Sequence, residues 1–262
     1  MINKKLKPTS AGLRHQIVMV KNTLCKNTSF LKKNTFCLKK TGGRSKQDGH
    51  ITSWHRGGKT KKKTLITKKI EPSTFCICIA IIYSPVKNSF ISINFNVINL
   101  KFNFGIHTDK QCIGGLIDSG LNNKFIGQKL GSILQMNSLY PGSIISAVSK
   151  NNKTYTYAKA AGTYCQIVQK YKNFVKLKLP SGRIIEITSK YWATLGSISN
   201  KNYNTCILGK AGKKSYKNKR SIVRGVAMNP VDHPHGGRTN GGRPSVSPWG
   251  KITKGVPTRK YK

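Results

Sequence analysis

Acidic residues are what this sequence lacks. Of 262 residues only six are Asp or Glu (Asp48, Glu71, Asp109, Asp118, Glu186, Asp232), against 48 Lys and Arg, a formal net charge of +42. Most lysines therefore have no carboxylate partner in the chain, and self-repulsion on this scale destabilises a compact monomer until a polyanion neutralises it. A soluble metabolic enzyme is not expected on this ground, and nucleic acid is the expected partner. Long apolar runs are missing too. The longest, Phe75–Tyr83 (FCICIAIIY), has nine residues, well short of the ~20 that cross a membrane as a helix. The stretch MINKKLKPTS holds no hydrophobic segment of secretory type. The seven cysteines (25, 37, 76, 78, 112, 165, 206) form no C-x-x-C, so neither a zinc ribbon nor a disulfide framework is expected; free thiols in a reducing compartment are.

What is present falls into zones. Residues 1 to about 70 are basic and broken by Gly42-Gly43 and Gly57-Gly58; WHRGGKTKKK (Trp54–Lys63) has no apolar periodicity and reads as a loop or extended arm in contact with RNA. In FISINFNVINLKFNF the apolar positions alternate as Ile91, Ile93, Phe95, Val97 and resume one step out of phase as Ile98, Leu100, Phe102, Phe104. Alternation predicts one buried and one polar face, and the phase slip predicts a bulge or turn at Val97-Ile98. Cys76 and Cys78 share one face of the preceding strand, as core residues do.

Residues 143 to 198 contain four more strand-like runs, SIISAV, TYCQIVQK, FVKLKLP and RIIEITS, joined in two places by the hairpin-length connections Tyr171-Lys172-Asn173 and Pro180-Ser181-Gly182. Several short antiparallel strands in so little chain predict a small closed barrel, with Lys176 and Lys178 opposite Val175, Leu177 and Leu179. From Gly209 onward nine Gly and five Pro in 54 residues predict an extended tail that orders against a polyanion.

Within that tail stands RGVAMNPVDHPHGG (Arg224–Gly237), followed by SPWGKITKG (Ser247–Gly255). With KPTSAGLRH (Lys7–His15), GGR (Gly42–Arg44), HRGG (His55–Gly58), AGTYCQIV (Ala161–Val168), LPSGRI (Leu179–Ile184), ATLG (Ala193–Gly196) and LGKAGKK (Leu208–Lys214), these segments resemble the universal L-two family of large-subunit ribosomal proteins in its bacterial and organellar form. The resemblance follows the family's order over most of the chain. It implies a mainly β protein: an N-terminal basic arm (1–34), an OB-fold-like barrel (35–110), an SH3-like barrel (111–200) and an extended C-terminal tail (201–262) inserted into ribosomal RNA. It also implies a place near the peptidyl-transferase centre and a part in subunit association. The chain departs from the family's pattern in three places: GGKTKKK from Gly57, residues 70 to 110, and Arg238-Thr239-Asn240 after the HGG.

RNA contact is expected from the cations of these segments. Arg56, Arg224, Arg238 and Arg243 offer planar, forked guanidinium groups for bidentate phosphate or base-edge contacts. Arg14, Arg44, Arg220 and Arg259 join them, with Lys59, Lys61, Lys62, Lys63, Lys210, Lys213, Lys214, Lys251 and Lys254 as point charges along the backbone. His15, His55 and Asn229 complete the polar set, and Trp54, Trp249 and Tyr164 are candidates for stacking on unpaired bases. Packing is the competing role for each aromatic and the expected one for Tyr164.

Around Pro234, three uses of His233, His235 and Asp232 compete. A metal site lacks further ligands at suitable spacing, and catalysis needs a rigidly held nucleophile or base. The third use is structural, a turn fixed by Pro230, Pro234 and the glycines, with imidazoles that hydrogen-bond or stack on RNA.

The expected protein is thus a structural constituent of the large ribosomal subunit, without enzyme activity. Its expected partners are large-subunit ribosomal RNA, neighbouring ribosomal proteins and, through an inter-subunit contact, the small subunit; no membrane or small-molecule substrate is expected. No cofactor is expected beyond magnesium ions bridging protein and phosphate. The alternative is a free organellar nucleic-acid binder or assembly factor. The family-like KPTS begins at Lys7, and Lys, Asn and Ile make up 87 residues. Both points favour a protein made inside an organelle. The mitochondrion is preferred over a plastid or a bacterial cytoplasm.

Overall fold

The computed structural model describes residues 3–22, 24–25, 29–37, 42–57, 60, 62–65, 67, 75–120, 129–151, 154–237 and 242–255. Its elements are β1 (Asn3–Lys5), β2 (Ile17–Met19), α1 (Ser29–Asn34), β3 (Thr35–Cys37), β4 (Lys63–Leu65), β5 (Phe75–Tyr83), β6 (Phe90–Asn96), β7 (Lys101–Ile106), β8 (Leu116–Asp118), β9 (Ile133–Gln135), β10 (Ile144–Asn151), β11 (Thr154–Tyr157), β12 (Cys165–Lys170), β13 (Phe174–Lys178), β14 (Ile184–Thr188), β15 (Trp192–Leu195) and α2 (Ala211–Tyr216). The class is mainly β. The chain divides into two compact units, residues 1–40 with 61–213, and 41–60 with 214–262. No helix among the described residues is long and apolar enough to cross a membrane.

In the larger unit, β5 to β8 form an antiparallel sheet in the order β7-β6-β5-β8. The phase slip is a turn over Val97–Leu100: the Asn96 carboxamide oxygen accepts the N–H groups of Ile98 (2.9 Å) and Asn99 (3.3 Å), reversing the chain between β6 and β7. Ile91 and Ile93 lie on the apolar face and pack with Leu31 of α1 and Leu65 of β4. The other face is polar, as alternation predicts, yet it is not solvated. Ser92, Asn94 and Asn96 are as buried as the isoleucines, because that face also carries Cys76, Cys78, Ile81 and Phe90, which pack with Ile133 and Trp192 of the second sheet. Cys76 and Cys78 are core residues, and all seven cysteines are free thiols.

The second sheet has the order β14-β13-β12-β10-β15-β9, with β11 also on β10. The expected hairpins β12–β13 and β13–β14 are present. Ile167, Val175, Leu177 and Ile187 point into a core with Leu134, Met136, Leu139, Ile145 and Val148, while Lys176 and Lys178 lie on the opposite face. Strand β10 bends at buried Ala147 (φ 47) and so pairs with β12, β11 and β15 along different parts of its length. Among the described residues both sheets end in unpaired edges, so neither closes into a barrel by strand pairing.

Candidate nucleic-acid interface

In the larger unit the N-terminal segment turns back on itself. Leu13 and Arg14 N–H groups donate to the Ser10 carbonyl, and Leu6 N–H donates to the Gln16 carbonyl. Ile17 and Ile207 exchange both backbone hydrogen bonds, and Asn3 Nδ2 donates to Asn202 O (2.8 Å). These bonds bring Gly209 and Lys210 against the turn. Gly209 (φ +78) has no room for a side chain, since a Cβ there would lie 2.5 Å from Gly12 O, and Lys210 Cδ comes within 3.5 Å of where a Gly12 Cβ would be. Beside this junction an open groove of about 440 Å³ is lined by Lys5, Leu6, Lys7, Pro8, Arg14 and His15. Four cationic or titratable basic side chains face it with no carboxylate, an arrangement that attracts an anion. Lys5 and Lys7 were missed by sequence reasoning, because only folding puts them opposite Arg14.

A second concavity, about 290 Å³, lies where two of the family-like segments meet, lined by Gly162, Thr163, Tyr164, Gln166, Lys178 and the Leu179–Gly182 turn. Tyr164, expected to pack, is instead half exposed here, because β12 begins only at Cys165 and the preceding turn holds the ring outside the core. Nearby on the β12–β13 hairpin, Tyr171 and Phe174 stack at 4.4 Å and Lys176 Nζ sits 5.3 Å above the Tyr171 ring.

The smaller unit is built from turns. Gly43 (φ +77) accepts the N–H groups of Thr52 and Ser53 at its carbonyl, and any side chain on it would collide with Ser53 O. His55 Nδ1 donates to Ser221 O at 3.0 Å while its carbonyl accepts Arg220 N–H. Trp54, Arg56 and Arg220 are exposed in this corner, and Trp54 meets Trp249 edge-on at 6.2 Å. Arg44 Nη1 is held by Gly49 O and Arg56 Nε by Ser53 Oγ.

The DHPHGG segment is the most tightly made part of this unit. Buried His233 accepts the His235 N–H at Nδ1 (3.0 Å), which places its proton on Nε2. A Cβ on Gly225 would fall 2.7 Å from the His233 ring, and one on Gly236 only 2.2 Å from Asn229 O, so both sites exclude side chains. His235 Nε2 lies 2.8 Å from Pro244 O and 3.3 Å from the Val246 nitrogen, and Arg243 Nη1 donates to both Pro234 O and Gly236 O at 2.8 Å. Arg243 therefore spends one nitrogen on the fold itself. Asp232 is exposed, and no group of three or more His, Cys, Asp or Glu is placed to hold a metal among the described residues.

Of the other expected contact residues, Arg224 and Asn229 are exposed on either side of the Gly225–Ala227 turn. Lys251 and Lys254 are exposed at the Ser247–Gly255 hairpin, Lys63 is exposed on β4, and Lys213 and Lys214 lie on α2 with Lys62 partly buried before β4. Lys59, Lys61, Arg238 and Arg259 fall outside the described residues.

Comparison with known proteins gives this arrangement a family. The family model described as Ribosomal Proteins L2, C-terminal domain, matches residues 129–250. The large ribosomal subunit protein uL2 of Rickettsia typhi is 37% identical over 270 residues, covering 100% of this chain and 96% of the relative. That of Rickettsia prowazekii is 39% identical over 272 residues, with the same coverage. The protein uL2m of Reclinomonas americana is 37% identical over 267 residues, covering 99% of this chain and 94% of the relative. On full-length similarity of this degree the chain belongs to the uL2 family of large-subunit ribosomal proteins, structural constituents rather than enzymes.

Proposed function

We propose that this chain binds large-subunit ribosomal RNA as a permanently seated constituent of an organellar, specifically mitochondrial, ribosome. The observation that carries the reading is the convergence of Lys5, Lys7, Arg14 and His15 on one groove beside Lys210, without a carboxylate, in a chain of net charge +42. Such cations neutralise phosphates and release counterions, giving steep salt dependence. Positional specificity then comes from turns that only glycine permits, which hold Arg44, Arg56 and Arg243 at defined places. The smaller unit, with the DHPHGG turn, is assigned to the neighbourhood of the peptidyl-transferase centre and to subunit association. Mitochondrial origin is supported by the Lys-, Asn- and Ile-rich composition and by a relative named uL2m.

Sedimentation of organelle lysate through sucrose at moderate and high salt tests the reading. Co-migration with the large subunit that survives salt able to strip loosely bound basic proteins is the expected result. A chain confined to light fractions identifies a free binder or assembly factor instead.

A further inference from the structure

We propose that Trp54 and Trp249 form a single aromatic notch that receives one unpaired nucleobase of ribosomal RNA. The two rings are far apart in sequence, yet their centroids lie 6.2 Å apart at 66°, and the His55 ring lies 6.1 Å from Trp54. Neither indole is spent on a core: Trp54 is 40% exposed and Trp249 is 65% exposed. An edge-to-face pair leaves one face of each ring free at an angle. A flat heterocycle can stack on one indole with its edge against the other.

Both rings stand on fixed backbone. Trp54 precedes His55, whose side chain and carbonyl are both tied to the Arg220-Ser221 segment, and whose φ is 57. Trp249 occupies a tight turn in which Gly250 N–H donates to Ser247 O, Lys251 N–H to Ser247 Oγ, and Ser247 N–H to Lys251 O. The base therefore meets rings already in place, which reduces the ordering cost of binding. The same unit displays exposed Arg56, Arg220 and Lys251, cations suited to the phosphates flanking a splayed-out nucleotide. Unpaired bases are the fitting ligand because a duplex hides the base faces that stacking needs. The inference rests on the ribosomal-RNA reading above and adds to it a defined base site.

The test uses the full chain and large-subunit ribosomal RNA transcribed from the same genome, with binding measured across a salt series. Trp54→Ala and Trp249→Ala are each expected to weaken binding roughly tenfold, as removal of a stacking aromatic does, while leaving the slope of log K against log salt unchanged. Because the rings act as one site, the double change is expected to lose about as much as the worse single change, and Trp249→Phe to retain most of the affinity. On the RNA, the wild-type chain is expected to protect one unpaired base from base-specific modification. That base becomes reactive again with Trp249→Ala, while the backbone footprint persists. Alanine variants that bind like wild type, or losses that multiply in the double variant, overturn the notch while leaving RNA binding intact. A wild-type chain that prefers this RNA no more than an unrelated transcript overturns the ribosomal-RNA reading itself.

Discussion

The two compact units are held together by different means. In the larger, stability comes from apolar burial: Ile145, Val175 and Leu177 are fully enclosed, and the sheet's lysines are turned outward. In the smaller, the only buried residues among those described are Gly43, His233 and Gly236. No aliphatic side chain among the described residues is buried there. Backbone hydrogen bonds, close approaches that only glycine allows, and the guanidinium of Arg243 do the work of a core. The difference shows two ways to offset chain entropy, one by withdrawing apolar side chains from water and the other by satisfying backbone groups in close turns.

The sharpest way to break that contrast is to truncate a side chain in each unit. Leu177→Ala should cost about 2–5 kcal/mol, read as a lower urea midpoint, whereas Val226→Ala, at an exposed turn position, should cost less than about 0.5 kcal/mol. Equal losses would mean that the smaller unit has a core of its own.

Next in size is a pH effect confined to the larger unit. Burial lowers the His107 pKa from 6.5 to about 4, although its hydrogen bond to the Gln111 carbonyl and the charge of Asp109 act the other way. Between those values the unfolded chain holds the extra proton, so stability falls as pH drops from about 6.5 towards 4 and levels off below. The loss amounts to about 3 kcal/mol. His107→Gln should flatten this part of the stability–pH curve, and an unchanged slope would refute the assignment.

Smaller and local are the effects expected in the turn-built unit. Gly236→Ala must push Asn229 O away, at a cost above about 1 kcal/mol, seen as faster exchange of the Gly236 and Gly237 amides with the melting of the sheets unchanged. Arg243→Lys gives up one guanidinium nitrogen shared by two carbonyls and should cost about 1 kcal/mol, detectable as quicker proteolysis near Pro244. If either substitution lowers the melting of the sheets, the two units are not independent.

Much of the local structure was legible beforehand. Period-2 alternation located β6 and β7, the phase slip located the Asn96-capped turn, and the Tyr171–Asn173 and Pro180–Gly182 connections located two hairpins, because each depends on neighbours only a few residues away. What alternation did not reveal was that the polar face carrying Ser92, Asn94 and Asn96 is buried too, since the cover comes from Ile133 and Trp192 on another sheet. The bend at Ala147 was equally hidden: alanine rarely adopts positive φ, and here it is buried where β10 shifts register against β11 and β15. The site divides in the same way. Residue types and quoted segments identified the cations, but the closure of Gly209 and Lys210 on Gly12 and the meeting of Trp54 with Trp249 join positions remote in sequence.

By itself, then, the sequence determined the excess of positive charge, the β class and the family, because charge, periodicity and motif order are properties of the linear chain. The tertiary structure alone decided that Gly209 and Lys210 close against Gly12, and which two indoles face each other. Those depend on long-range closure of the chain, whose geometry is set by packing and by glycine-permitted contacts rather than by any local run of residues.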